Sequence, residues 1–242
     1  MPDARQLRRA VRGAIPRPLR QRLYDWSPSR RRRWRRAPGV ESVPAGAGAV
    51  LSFDDGPDPE GTPPVLEALG ACGARGTFFV LGRHVAERPE LAREIVEGGH
   101  EIALHGMDHR RHDRLSEGEA ERELSDGVAA VEAAVGRRPA WYRPPFGASS
   151  PTLAAVCERL GLGLAYWTAW GQDWEESSAE RIASLVERDL APGAVVLLHD
   201  SARYAQRGSA AATAGAVPLI AAAAAEAGLD LVTLSAATGD AG

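Results

Sequence analysis

From residue 46 to its end the chain alternates between strand-like and helix-like segments, and this alternation constrains the fold more than any other feature. Short apolar runs separated by longer amphipathic segments predict a parallel sheet covered by helices. The predicted strands lie near residues 48–53, 76–80, 101–104, 141, 164–167, 194–198 and 229–233. The predicted helices lie near residues 62–71, 84–97, 116–135, 151–160, 178–190 and 213–227. About seven strand–helix units indicate a closed or nearly closed barrel, with its chemistry at the carboxyl ends of the strands.

Charge divides the chain into two parts. Residues 1–45 contain 13 arginines and three acidic residues, whereas the remainder contains 16 arginines and 29 acidic residues. We therefore predict an Arg-rich N-terminal extension at residues 1–45, partly disordered or amphipathic, and a barrel domain at residues 46–238. Every basic residue is arginine, which excludes catalysis through a lysine Schiff base.

The extension has a basic amphipathic pattern. Apolar residues recur at every fourth position from residue 7 to residue 23 between arginines, although Pro16 and Pro18 interrupt a helix there. A solvated tail and adhesion to anionic lipid both remain open. Nucleic-acid binding is disfavoured because no groove-reading element accompanies the charge. The sequence shows no ordinary signal peptide or membrane span, so we expect a cytoplasmic or peripheral membrane location.

Two acidic residues end the first predicted strand. The apolar run at residues 50–53 leads into Asp54 and Asp55, and Gly56-Pro57 then makes a turn. Adjacent residues of a strand point to opposite faces, so the two carboxylates cannot share one role. The pair suits a metal site in which one aspartate is a ligand and its neighbour is a base.

Two histidines follow the third predicted strand. His105 and His109 are four residues apart and can face one point if the segment turns helically. Together with one aspartate they would make a three-ligand site with an open position for water, as a catalytic divalent metal requires. His84, His100 and His112 are interpreted as structural or exposed.

Three further motifs follow later strands. Arg143 precedes a stiff diproline loop that can hold its guanidinium against a carboxylate and can present the backbone N–H of Phe146 to an oxyanion. Trp170 and Trp174 are predicted to form the wall of a sugar-sized pocket. His199 ends the strand near residues 194–198 and is a candidate proton donor.

These motifs together resemble the NodB-type polysaccharide deacetylases, carbohydrate esterase family 4. The similarity covers about residues 48–235 and consists, in the family's order, of SFDDGP, TFFVLG, GHEIALHGMDH, RPPFG, DW and LLHD. The resemblance implies a distorted (β/α)7 barrel. It also implies an enzyme that removes N-acetyl groups from amino sugars of a glycan or oligosaccharide with a divalent metal, Zn²⁺ before Co²⁺.

The resemblance also implies roles for individual residues. Asp54 would be the general base, oriented by Arg143, and His199 the general acid, paired with Asp173. The expected metal ligands are Asp55, His105 and His109. Phe146 would supply the oxyanion-binding N–H, and Trp174 and Leu198 would receive the acetyl methyl group.

Three departures from the family pattern concern the substrate. Gly106 stands where the family often has Ser or Thr, and Trp170 where it is often acidic. The segment 201–213, which contains Tyr204, is long enough to form a lid and adds Tyr204 to the predicted pocket. An alternative function is deacylation or deformylation of a lipid-linked sugar or small acylated metabolite at a membrane. A non-catalytic glycan-binding module is disfavoured because the full set of polar residues is present.

Overall fold

The computed structural model of the chain describes residues 35–239. Within that range the strands are β1 (Val50–Asp54), β2 (Gly76–Leu81), β3 (Glu101–Gly106), β4 (Trp141–Tyr142), β5 (Gly163–Leu164), β6 (Ala169–Trp170) and β7 (Val195–His199). The helices are α1 (Thr62–Ala71), α2 (Gly82–Glu87), α3 (Pro89–Glu97), α4 (Glu117–Val135), α5 (Pro151–Arg159), α6 (Ala179–Glu187), α7 (Ala211–Glu226) and α8 (Leu234–Thr238). Short 3-10 turns span Ala45–Ala47, His112–Arg114 and Pro145–Gly147.

The described strands form one parallel sheet in the order β5-β4-β3-β2-β1-β7-β6. Every residue of β1 and β2 is buried, as expected for strands covered on both faces. The curled sheet with its surrounding helices is the distorted (β/α)7 barrel that the sequence predicts. Since β1 pairs with both β2 and β7, Asp54 at its end lies beside His199 in the register.

Local capping chemistry fixes both ends of α4, which was predicted near residues 116–135. Ser116 caps the helix and Glu119 completes a capping box, with the Ser116 N–H donating to Glu119 at 2.9 Å. Gly136 closes the helix in the left-handed conformation at φ 74°.

Two element predictions were wrong. The helix predicted over residues 84–97 is two helices, because Pro89 excludes Arg88 from the helical conformation. The strand predicted at residues 229–233 is a single bridge between Ala49 and Leu231. Thr233 leaves the extended path to cap α8, its side chain accepting the Ala236 N–H at 3.3 Å. The seventh strand arises instead because residues 163–170 contribute two short strands, β5 and β6.

The end of the predicted extension packs on the barrel. The Arg35 guanidinium lies over the rings of Tyr166 and Trp167, with its carbon 4.7 and 4.5 Å from their centroids. Val40 bridges Ala165 beside β5, and Ala37 is buried. Contacts with the barrel thus begin several residues before residue 46. The remainder of the extension, residues 1–34, lies outside the described residues, and its amphipathic or disordered character stays a prediction.

Two further observations bear on earlier expectations. No helix between residues 35 and 239 is long and apolar enough to cross a membrane. The two cysteines lie far apart in sequence and are free thiols, Cys157 buried and Cys72 exposed at the end of α1.

Candidate active site

A buried ion pair lies at the end of β1. Asp54 accepts a hydrogen bond of 2.7 Å from Arg143, which also donates to the Ser52 hydroxyl at 2.8 Å and to the Tyr166 carbonyl at 2.9 Å. The Arg143 side chain is fully buried, with its guanidinium carbon 3.9 Å from the centroid of the Phe79 ring. Burial raises the pKa of Asp54, and the adjacent Arg143 opposes that rise. Asp54 is thus a carboxylate held in one orientation, as a base requires.

Asp55 lies beside the two histidines of β3 and the loop after it. Its Oδ1 is 3.4 Å from Nε2 of His105 and 3.4 Å from Nε2 of His109, and one ligand atom from each residue falls within a mutual distance of 4.8 Å. That buried Oδ1 has no hydrogen-bond partner among the described residues. A carboxylate and two imidazoles that converge around an unsatisfied oxygen fit a divalent cation such as Zn²⁺. These three residues could therefore hold a metal.

The protonation of this group also suits metal binding. Burial lowers the pKa of His109 to about 3 and that of His105 well below its ordinary value, so both imidazoles are neutral at pH 7. Burial raises the pKa of Asp55 to about 7, with the neighbouring Asp54 adding to the rise. Neutral imidazoles are the form that binds metals. A bound cation would also favour the ionised forms of Asp54 and Asp55, which burial disfavours.

A buried network behind the site supports the His109 loop. His112 lies with Nδ1 2.6 Å from the Tyr142 hydroxyl and Nε2 3.2 Å from Oε1 of Glu123, which also accepts the Asp108 N–H at 2.6 Å. Gly106 has φ 104°, and a Cβ there would collide with the His112 ring. The His112 ring therefore accounts for glycine at a position where the family often has Ser or Thr.

Sequence reasoning missed the part played by His112 and Glu123. Among the residues left as structural or exposed, His112 is in fact buried against the loop that carries His109. Glu123 lies on the buried stripe of α4 with Ala120, Leu124 and Gly127. An acidic residue on an apolar helix stripe indicates a buried partner, and this was the available signal.

A second ion pair, between a partly buried histidine and a fully buried aspartate, lies at the end of β7. Nδ1 of His199 is 2.8 Å from Oδ1 of Asp173, and the His199 backbone N–H donates to Oδ2 of the same carboxylate at 2.8 Å. Burial alone would lower the pKa of His199, but Asp173, with smaller contributions from Asp55 and Asp54, outweighs it, and the pKa rises to about 9. The imidazole is therefore cationic at neutral pH and can donate a proton.

Aromatic rings line the mouth on both sides. Trp174 meets the His199 ring edge-to-face at 5.9 Å between centroids, and Trp170 packs on Trp174 at 5.5 Å. On the other side, the Tyr204 ring stacks on His109 at 4.3 Å, and Phe146 contacts the same ring edge-on at 4.7 Å. These four rings therefore border the ionisable groups.

The remaining predicted pocket residues differ in exposure. Phe146 has 53% of its surface exposed and a backbone φ of 64°, a strained conformation of the kind found at functional sites. Leu198 is completely buried. Its assignment to the acetyl pocket stays a prediction, as do the roles of the other residues.

The comparisons with known proteins agree with this geometry. The family model described as polysaccharide deacetylase matches residues 44–165, half of the chain. The chain belongs to the polysaccharide deacetylase family. A chitooligosaccharide deacetylase of Bradyrhizobium is 38% identical over 151 residues, covering 62% of this chain and 69% of that protein. A peptidoglycan-N-acetylglucosamine deacetylase of Bacillus cereus is 34% identical over 154 residues, covering 62% and 71%.

A solved structure of this family closely resembles the chain. A family 4 carbohydrate esterase from Streptomyces lividans, in complex with acetate, is 35% identical and has a TM-score of 0.71. The similarity covers 79% of this chain and 95% of that one. With the named relatives, this structure confirms the predicted membership of carbohydrate esterase family 4. The protein is accordingly an N-deacetylase that acts on amino sugars, as the sequence predicted.

Proposed function

We propose that the protein hydrolyses the N-acetyl groups of N-acetylglucosamine units in a glycan or oligosaccharide by a metal-dependent mechanism. One observation carries the proposal: an aspartate held by an arginine, a group of metal-ligating residues and a cationic histidine meet at one mouth. The relatives are named for chitooligosaccharide and peptidoglycan substrates, which supports this substrate class.

The metal would be held by Asp55, His105 and His109, a set of one carboxylate and two imidazoles that suits Zn²⁺ and that Co²⁺ can also occupy. When bound, a divalent cation would polarise the amide carbonyl and make a water molecule more acidic. Asp54, held by Arg143, accepts the proton of the attacking water as general base. The backbone N–H of Phe146 donates to the oxyanion that develops on the carbonyl oxygen.

His199 completes the reaction as general acid. Its imidazolium, paired with Asp173, gives its proton to the departing nitrogen, so the products are acetate and a free amine. Trp174 and Leu198 would form the pocket for the acetyl methyl group. Trp170 and Tyr204 would contact the sugar.

The decisive experiment is a substrate panel assayed for released acetate or formate. It includes chitooligomers, peptidoglycan fragments and a lipid-linked amino sugar, with Asp54→Ala as the blank. Acetate release from an N-acetylglucosamine oligomer, lost on chelation and restored by Zn²⁺ or Co²⁺, is the expected result. If the wild-type protein releases no more acetate or formate than Asp54→Ala on every substrate, the proposal is wrong and a non-catalytic glycan-binding module is favoured.

A second candidate is a deacylase that meets a lipid-linked sugar or small acylated metabolite at a membrane face, in the cytoplasm or at its periphery. The 13 arginines of residues 1–45 favour it, because such a segment binds anionic lipid. Sedimentation with anionic vesicles tests this candidate, with a chain lacking residues 1–34 as the matched control. Full activity of that shortened chain on soluble chitooligomers, and no vesicle binding by the intact chain, would argue against it.

A further inference from the structure

A buried arginine outside the proposed catalytic set contacts both members of the His199–Asp173 pair. Arg207 lies in the segment between β7 and α7, and only 3% of its side chain is exposed. Its NH1 lies 3.4 Å from Oδ2 of Asp173, and its NH2 donates to the backbone carbonyl of His199 at 2.8 Å. NH2 also donates to the Ser201 carbonyl at 3.2 Å. The guanidinium thus holds the end of β7 and the partner carboxylate together.

Thr213, in the first turn of α7, makes the connection directional. Arg207 donates to the Thr213 hydroxyl, and that hydroxyl donates to Oδ2 of Asp173 at 2.7 Å. Thr213 and Asp173 are both fully buried. Because a guanidinium has no acceptor, Thr213 accepts from Arg207, and its single proton is left for the carboxylate. The chain of donors therefore runs from guanidinium to hydroxyl to carboxylate.

The proposed general acid requires a fixed imidazole, and Asp173 can fix it only while its own carboxylate is held. Oδ1 of Asp173 accepts from the His199 ring. Oδ2 accepts from the His199 backbone N–H, from Arg207 and from Thr213. We propose that Arg207 and Thr213 are positioning residues that set the orientation of His199 through Asp173. This inference rests on the proposed role of His199 as general acid.

The electrostatics agree with that geometry. Burial would raise the pKa of Asp173, but His199, Arg207 and Thr213 together outweigh it and lower the pKa. Asp173 is therefore ionised at neutral pH, where His199 is cationic. The arginine also compensates a carboxylate that would otherwise be one of several buried negative charges at the mouth.

The test uses two pairs of variants in the metal-loaded, full-length protein. Thr213→Val removes the hydroxyl at nearly constant volume, and Thr213→Ser keeps it. Arg207→Met removes the buried guanidinium, and Arg203→Met removes a partly exposed one from the same segment, where it pairs with Asp58 at 3.0 Å. The readouts are kcat and KM for acetate release and the low-field NMR resonance of the His199 ring N–H, assigned with His199→Gln.

We expect kcat to fall by about 10- to 100-fold in Thr213→Val and Arg207→Met, with KM within about threefold, because displacing a catalytic group costs turnover rather than ground-state binding. The low-field resonance should shift or vanish in the same two variants. Thr213→Ser and Arg203→Met should retain both properties. If Arg207→Met does not fold, the Thr213 pair alone decides.

Unchanged kcat and an unchanged resonance in Thr213→Val would overturn the positioning role. Equal losses in Thr213→Val and Thr213→Ser would do so as well, since they would point to packing. The resonance separates this inference from the proposed function: a wild type with the resonance but without turnover on any substrate contradicts the function alone. A resonance that then responds to Thr213→Val and not to Thr213→Ser still supports the positioning role.

Discussion

Histidines border the mouth at the ends of both β3 and β7, and their surroundings differ chiefly in one carboxylate contact. His105 is buried and His109 is partly buried beside Asp55, neither has a closer acidic partner, and their pKa values fall. His199 is also partly buried, but it has Asp173 at 2.8 Å, and its pKa rises to about 9. One side therefore offers neutral ligands and the other offers a proton. Burial alone therefore does not decide whether a histidine is neutral or cationic; the nearest carboxylate does.

Removing the cation tests the neutral side and should have the largest effect. We expect chelation to lower acetate release by at least about 1,000-fold, and His109→Gln to weaken metal binding by at least about 100-fold, because one of three protein ligands is lost. Both are measured with the metal-depleted enzyme titrated with Zn²⁺.

His100→Gln is the matched control. His100 lies just before β3, at the opposite end of that strand from the site, where its ring is 3.2 Å from the Gly76 N–H. Unaltered Zn²⁺ affinity is expected in this variant. Equal losses in His100→Gln and His109→Gln would mean that the neutral imidazoles do not bind the cation.

Replacing Asp54 tests whether the carboxylate between the metal-ligating histidines and His199 is the general base. Asp54→Asn keeps the shape of the side chain and should lower kcat by about 100- to 10,000-fold, the range for loss of a general base. Zn²⁺ affinity should change little, because Asp54 is not among the converging ligand atoms. Since Arg143 would lose its buried partner, unfolding by denaturant is measured as well. A folded Asp54→Asn variant with wild-type kcat would remove Asp54 from the mechanism.

The proton-donating side is tested by Asp173→Asn. In the wild type, kcat/KM should decline as pH rises through about 9, where His199 loses its proton. Without the carboxylate the pKa of His199 should fall, because Asp173 is the largest influence that opposes burial, so the decline should begin at a lower pH than in the wild type and activity at pH 8 should fall by roughly 10- to 100-fold. The pH profiles of the two proteins decide the matter. Coincident alkaline limbs would show that another group governs the profile.

The free energy of unfolding of the metal-free protein should depend on His109 at acidic pH and on His199 at alkaline pH. The pKa of His199 is raised in the folded state, so its stabilising contribution is fully present below about pH 6.5 and is lost as pH rises through about 9. The pKa of His109 is lowered to about 3, so in the metal-free protein its contribution is present above about pH 6.5 and is lost as pH falls toward about 3. Denaturant unfolding of the metal-free protein from pH 4 to 10 measures both, with His109→Gln flattening only the acidic range and His199→Gln only the alkaline range.

The contrast between the two sides also shows what sequence reasoning could reach. Residues at strand ends were predictable because parallel strands deliver their carboxyl ends to one edge, which brought Asp54, His105 and His199 together. The supporting network was not predictable. His112 resembles a surface histidine in a polar loop, and its buried place follows from contacts with Tyr142 and Glu123, which are distant in sequence.

The fold shows the same division between local and long-range information. The helix that begins at Ser116 was predicted and its capping box is local chemistry, whereas the division at Pro89 was overlooked although its signal is local too. The single bridge at Leu231 depends on Ala49, nearly the whole domain away in sequence. Arg207 likewise reaches Asp173 only through the folded segment between β7 and α7, for which no sequence motif exists.

Removing the exposed Phe146 ring beside His109 should have the smallest effect on kcat of the changes considered. Phe146→Ala keeps the backbone N–H proposed for the oxyanion and removes a ring that is half exposed, so kcat should change by no more than about threefold. Trp174→Ala removes the ring beside the cationic His199, and kcat should fall by about 10-fold or more. Steady-state kinetics on one chitooligomer compares the pair, with Leu219→Ala as an exposed apolar control on α7. A loss in Phe146→Ala as large as that in Trp174→Ala would mean that the exposed ring itself, and not only its N–H, positions the substrate over the neutral side.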